Sequence, residues 1–141
     1  MPFDWSDDLA RVDWNELSAL YRVAPLDKVP ADLALVFGNS MFRILAFDAG
    51  LLIGAGRGLG DGRDCAYLCD IAVLPAYQAQ GVGKEITARL LRLAAGHRKI
   101  ILYAAPGKEG FYKRFGFRRM KTAMAIFPNP DAAMARGYLE A

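Results

Sequence analysis

A chain of 141 residues, 54% hydrophobic and 23% charged, is long enough to bury one core and too apolar to be disordered. Its longest apolar runs, such as Ile100 to Ala105, fall far below the ~20 residues of a membrane span, so no such helix is expected. The net charge of +3 gathers in the second half, between Arg89 and Lys121, and suits a polyanionic small ligand, nucleic acid or a plain solvated surface. The start, M-P-F-D-W-S-D-D, is acidic where a secretory leader would be basic, so the expected compartment is the cytoplasm.

In chain order, Asp8 to Val12 alternates and reads as a short first strand. Asp13 with Glu16 forms a capping-box pattern for a helix carrying Trp14, Leu17, Leu20 and Tyr21, which fades before Pro25. Pro30 opens a second helix over about 31–38. Residues 42–47 and 51–59 read as a hairpin turned at Asp48-Ala49-Gly50. Gly54, Gly56, Gly58 and Gly60 have the period of a strand, not the 0, 2, 5 offsets of a dinucleotide fingerprint. They share one face, and close packing is the preferred reading over phosphate binding.

Residues 64–74 form the next strand, ending at Pro75. Its Cys65 and Cys69 lie about 13 Å apart on a strand, too far for a disulfide. His97 is the single histidine, so no metal site and no Cys-His pair is expected. A helix over 81–95 carries Ile86, Leu90, Leu93 and Ala94 on one face and stops at Gly96. Residues 100–105 read as a strand buried on both faces. A short helix over 107–115, a final strand over 120–127 and a tail over 128–141 complete a single domain spanning 1–141.

The chemistry concentrates at Gln78-Ala79-Gln80-Gly81-Val82-Gly83-Lys84. A strand ends just before it and a helix begins within it, so unpaired helix amides and the macrodipole favour an anion there. Gly81 and Gly83 let a bulky group approach the backbone. The spacing is not that of a Walker loop, and a diphosphate held without metal fits better.

Gln78-x-x-Gly81-x-Gly83 resembles the Q/R-x-x-G-x-G/A signature of the GNAT superfamily of acyl-CoA-dependent N-acetyltransferases. The preceding strand with Val73-Leu74-Pro75 and the later Phe111-Tyr112-Lys113-Arg114-Phe115-Gly116-Phe117 resemble its neighbouring segments. The likeness is specific over 66–127, and the cofactor-binding core is expected at about 64–127. The resemblance implies an α/β (α+β) fold: a mixed, mostly antiparallel sheet of six to seven strands, splayed between strands 4 and 5, with about four helices. It implies acetyl-CoA as acyl donor and a primary amine, expected to be a small molecule, as acceptor, joined by direct attack in a ternary complex. No membrane partner is implied, nucleic acid is disfavoured, and a homodimer stays open.

By the same resemblance, the backbone of Ile71, Ala72 and Val73 holds the pantetheine arm, with the Val73 amide facing the thioester carbonyl. The amides of Gln78, Ala79, Gln80, Gly81, Val82, Gly83 and Lys84 hold the pyrophosphate, and Lys84, Lys113 or Arg114 meets nucleotide phosphates. Tyr112 aligns with the tyrosine that protonates the departing thiolate and is counted as a cofactor contact. Asp70 either takes the acceptor's proton or anchors a neighbouring element; Glu109 is a lesser candidate, and His97 reads as a surface residue. Ala104-Ala105-Pro106 departs from the polar side chain often found there in the family. The acceptor pocket is expected from 21–28, with Tyr67 and Phe127 as candidate neighbours. The competing readings are a non-catalytic acyl-CoA-binding module and acetylation of a protein or peptide amine.

Overall fold

A computed structural model describes residues 3–24, 26 and 28–141. The chain forms two compact units, Met1–Leu102 and Tyr103–Ala141. In the first, the strands are β1 (Asp4–Ser6), β2 (Phe42–Asp48), β3 (Leu51–Gly60), β4 (Cys65–Val73) and β5 (Lys99–Ile101). Its helices are α1 (Trp14–Val23), α2 (Leu33–Gly38) and α3 (Val82–Ala94). The strands form one sheet in sequence order, antiparallel throughout except for the parallel pair β4–β5.

Local chemistry explains most of these elements. Ala49 and Gly50 both have positive φ, as a two-residue I′ turn between β2 and β3 requires. Asp13 caps α1 by accepting from the amides of Asn15 and Glu16. The expected reciprocal bond from Glu16 is not made; its carboxylate accepts instead from the Leu52 amide at 3.1 Å, tying α1 to β3. The expected strand at 8–12 is a 3-10 turn, Leu9–Arg11, because the Asp8 carboxylate caps the Ala10 amide. Pairing with β2 falls to Asp4–Ser6.

The sheet is covered on both faces. Leu17, Leu20 and Tyr21 of α1 and Leu33 and Phe37 of α2 cluster with Leu45, Phe47, Leu52, Ala55 and Ala72. On the other face, α3 buries Val82, Ile86, Leu90 and Ala94, the larger of these contributing roughly 1.5–3 kcal/mol each. Leu93, expected on that stripe, is 46% exposed. The four glycines of β3 explain how closely α3 sits. A Cβ on Gly54 would lie 2.9 Å from Ile86 Cδ1, and one on Gly56 would lie 2.9 Å from Ile86 Cγ2 and 3.0 Å from Leu90 Cδ1. On Gly58 it would meet the Phe42 ring at 2.7 Å, and on Gly60 it would meet His97 Nε2 at 2.8 Å. The glycine strand is a packing surface.

Strand β5 is shorter than expected, ending at Ile101, and its residues are only partly buried because it is the sheet's edge. In the second unit, α4 (Glu109–Lys113) and α5 (Pro130–Ala135) are the helices. The expected strand over 120–127 does not form; the described residues include no ladder partner for it, and Met124 and Ile126 are fully exposed. Alternation confers strand propensity, but a strand exists only where its backbone finds a partner. The sheet of the described residues therefore has five strands rather than six or seven.

Gly56→Val should destabilise the protein by about 1–3 kcal/mol through overpacking against Ile86 and Leu90. Urea unfolding checks this, and an unchanged midpoint would rule out tight packing at this position.

Candidate active site

β4 is not a regular strand. Arg57 pairs with Cys69 and Ala55 with Ala72, so Asp70 and Ile71 together oppose Gly56. This is a bulge, and Asp70 takes φ +57°, rare for a residue with a Cβ. Before the bulge, the Cys65 carbonyl accepts from Asp61 N at 3.3 Å, so odd-numbered residues of β4 face β3. After it, Leu74 N donates to Ile53 O at 2.8 Å, so the even-numbered ones do. A strand residue's own N–H and C=O point to the same edge. Ala72 therefore turns to β3, while Ile71 and Val73 turn to the opposite edge. The Val73 carbonyl, accepting from Gln78 Nε2 at 3.1 Å, agrees with this orientation.

Among the described residues, that edge has a ladder partner only at its start. The β4–β5 pairing runs from Cys65 with Lys99 to Tyr67 with Ile101 and stops, while β4 continues to Val73. The expected splay is thus present between strands 4 and 5, and the bulge lies just past its origin.

Beside the bulge lies a charged cluster. The Asp70 carboxylate accepts from Arg57 Nε and Lys28 Nζ, each at 2.7 Å, and its side chain is 8% exposed. Arg57 also reaches Ser40 Oγ at 3.3 Å and lies over the Phe37 ring. Tyr21, from α1, donates its hydroxyl to the Asp70 carbonyl at 2.7 Å. Burial pushes this phenol well above its ordinary range, so it stays a donor. Burial likewise pushes the Cys69 thiol up to about 11, leaving it unreactive. Tyr21 and Arg57 escaped the sequence reading as partners of Asp70. A lone cation within a glycine-rich strand was the available signal for Arg57; for Tyr21 there was none.

The turn from β4 into α3 is a 3-10 segment, Pro75–Gln80, followed by Gly81 at φ +79°. Its residues are tied down locally: Tyr77 donates to Asp48 at 2.6 Å and Gln80 to the Ala76 carbonyl at 3.2 Å. No side chain caps α3, and the first intrahelical bond is Glu85 N to Gly81 O at 3.0 Å. The amides of Val82, Gly83 and Lys84 thus have no acceptor within the helix. A Cβ added at Gly81 would meet nothing within 4 Å, so the approach to these amides is unobstructed there.

The remaining candidates have local partners. Of the 21–28 segment, Arg22 donates to Ser18 Oγ, Leu26 packs on the α1/α2 core, and Pro25 and Asp27 lie outside the described residues. His97 is more than a surface residue: Nδ1 donates to the Ala94 carbonyl and Nε2 accepts from the Gly62 amide, stapling the end of α3 to the β3–β4 turn. In the second unit, Tyr112 packs edge-on against Phe111 and Phe117, and burial raises its pKa. Phe111 and Phe115 form the expected i, i+4 pair. The Glu109 carboxylate accepts from the Gly107 amide at 2.8 Å, which helps to hold its pKa down. Phe127 packs with Tyr103 and Tyr138. Among the described residues no group of His, Cys, Asp and Glu could hold a metal ion, and no helix is long and apolar enough to cross a membrane.

A five-stranded sheet with a bulged, splayed fourth strand and an uncapped helix after it is the scaffold of an acyl-transfer fold. The chain belongs to the acetyltransferase (GNAT) family, whose model matches residues 6–117. It is 38% identical over 68 residues to an uncharacterized ycf52-like N-acetyltransferase of Prochlorococcus marinus, covering 47% of this chain and 38% of that protein. It is 37% identical over 71 residues to serotonin N-acetyltransferase 2, chloroplastic, of Oryza sativa subsp. japonica, covering 49% of this chain and 36% of that one. The match thus spans little more than a third of either relative. A probable acetyltransferase from meticillin-resistant Staphylococcus aureus has the same fold, with a TM-score of 0.80 at 24% identity over 90% of this chain and 98% of that one.

Gly81→Ala should cost about 1–2 kcal/mol, since an L side chain is strained in the left-handed region even with open space around it. The urea midpoint measures this, and an unshifted value would mean that the turn relaxes freely.

Proposed function

We propose that the chain moves an acetyl group from acetyl-CoA to the primary amine of a small molecule, by direct attack in a ternary complex. The observation that carries the proposal is the edge of Ile71 and Val73, turned away from β3 at the point where β5 has ended. An extended pantetheine arm can pair with such an edge as an added strand does. The Val73 N–H then faces the thioester carbonyl, where negative charge grows as the amine attacks. Ala72, whose own amide turns to β3, contributes packing in this reading rather than a hydrogen bond.

The pyrophosphate fits the start of α3, where Gly81 and the amides of Val82, Gly83 and Lys84 combine open backbone with the positive end of the dipole. Gln78, Ala79 and Gln80 shape that turn. The Gln78 side chain holds the Val73 carbonyl, so this residue links the two halves of the donor site.

In the reaction, the amine lone pair forms a C–N bond to the acetyl carbon and the C–S bond breaks. The CoA sulfur leaves as a thiolate and takes a proton. Tyr112 is the proposed donor of that proton, from its place in the family motif and its partly buried phenol. Asp70 is the anchor of its alternative reading rather than the base, because two cations already share its carboxylate. The acceptor's ammonium gives a proton to water before its lone pair can attack, the new C–N nitrogen loses a second as the amide forms, and solvent returns to Tyr112 the proton it gave. A small amine is favoured over a peptide by the likeness to a protein named for serotonin acetylation.

Thiol release from acetyl-CoA across arylalkylamines, polyamines, amino sugars, amino acids and peptide N-termini tests the reading. Turnover with at least one small amine is expected; bound CoA with no turnover would favour a binding module. Tyr112→Phe should lower kcat by ~10²-fold, the low end for a general acid, and full activity would reduce Tyr112 to packing. A raised phenol pKa keeps the acid form present at higher pH, so the alkaline limb of kcat should lie above pH ~10. Asp70→Asn should keep the acid limb of the profile; its disappearance would restore Asp70 as the base.

A further inference from the structure

We infer that Tyr21 is a positioning residue for acyl transfer: its hydroxyl bonds the Asp70 carbonyl and so fixes the bulge that sets which edge Val73 presents. The inference rests on the reading that the Val73 edge receives the thioester.

The phase of β4 makes the case. Up to Cys69, odd-numbered residues face β3, as the Asp61 N to Cys65 O bond and the Arg57–Cys69 pairing show. Continued without a break, that alternation would turn Val73 to β3 and spend its N–H in the ladder opposite Ile53. One extra residue at Asp70 reverses the order, and Leu74 takes the bond to Ile53 instead. The open orientation of Val73 is therefore a product of the bulge.

The bulge does not hold itself. Asp70 sits at φ +57°, a conformation that persists in a residue with a Cβ when its surroundings over-determine it. Its part-buried carbonyl finds its donor in a side chain. Tyr21 is 1% exposed and supplies that donor at 2.7 Å. Arg57 from β3 and Lys28 from the α1–α2 connection grip the carboxylate of the same residue. Three elements thus converge on one residue, gripping its backbone and its side chain separately. Tyr21 is the informative member, because its ring also packs near Phe37 and survives replacement by phenylalanine.

The test compares Tyr21→Phe with the wild-type chain by amide hydrogen exchange, CoA affinity and turnover. Exchange needs no ligand and reports the clamp alone. The amides of Ala72 and Leu74, which face β3, should exchange at least about ten-fold faster in the variant, while those of β2 change little. With acetyl-CoA and an accepted amine, kcat should fall about ten-fold, the scale expected when a buried carbonyl loses its donor. The dissociation constant of CoA should rise by no more than about three-fold, since the pantetheine edge loosens while the diphosphate keeps its amides at the start of α3. Unchanged exchange at Ala72 and Leu74 would overturn the clamp. Faster exchange with unchanged kcat would overturn the positioning role. A parallel loss of kcat, CoA affinity and thermal stability would reduce Tyr21 to a core residue. A wild-type chain that binds CoA but transfers nothing would sink the enzymatic reading and the positioning role together, with the clamp still read by exchange.

Discussion

The candidate site depends on one extra residue in β4. Asp70 interrupts the ladder with β3, and the interruption reverses the alternation of everything after it. Because strand geometry has a period of two, a single insertion exchanges both the side-chain faces and the hydrogen-bonding edges. Val73 is thereby freed from β3 on the side that β5 has already left. The opening of the sheet and the turning of the strand are separate events, and the site needs both.

The bulge is held by charge and hydrogen bonding drawn from distant parts of the chain. Arg57 and Lys28 make a carboxylate between two cations, an arrangement better suited to fixing a conformation than to taking up a proton. A mostly buried charge of this kind is tolerable when it is fully paired. Tyr21 adds a hydrogen bond to the backbone carbonyl of the same residue. On the far side of the sheet, α3 lies close because β3 presents glycines there, and that approach brings its uncapped N-terminus to the end of β4. Each of these features of the candidate site thus traces to a packing feature elsewhere in the first unit.

Much of this was legible in the residues. The capped start of α1, the two-residue turn at Ala49-Gly50, the Gly96 stop and the strand period of the β3 glycines are local signals, and the fold uses each of them. The Gln78 to Lys84 stretch likewise announces a strand-to-helix turn with open backbone. The misses share a cause. Met120 to Phe127 is apolar enough for a strand, yet no partner strand meets it among the described residues. Residues 100–105 are apolar as a central strand should be, yet β5 ends early at an edge. Asp8 favoured its own backbone over a ladder. Propensity is local, whereas pairing is decided by the rest of the chain.

The sequence by itself determined the family signature, the order of elements from α1 to α3 and the strand-to-helix turn at Gln78 to Lys84, because these are set by residues within a few positions of one another. Tertiary structure alone decided that Asp70 would occupy the left-handed region, with Tyr21, Arg57 and Lys28 as its partners. Arg57 stands 13 positions from Asp70 in the chain and Tyr21 stands 49 away, beyond the reach of any local pattern. It also decided which edge Val73 would present. A bulge leaves no mark in the alternation of side-chain types when the inserted residue is polar and half the strand is small, so its phase can be read only from the ladder that the neighbouring strand completes.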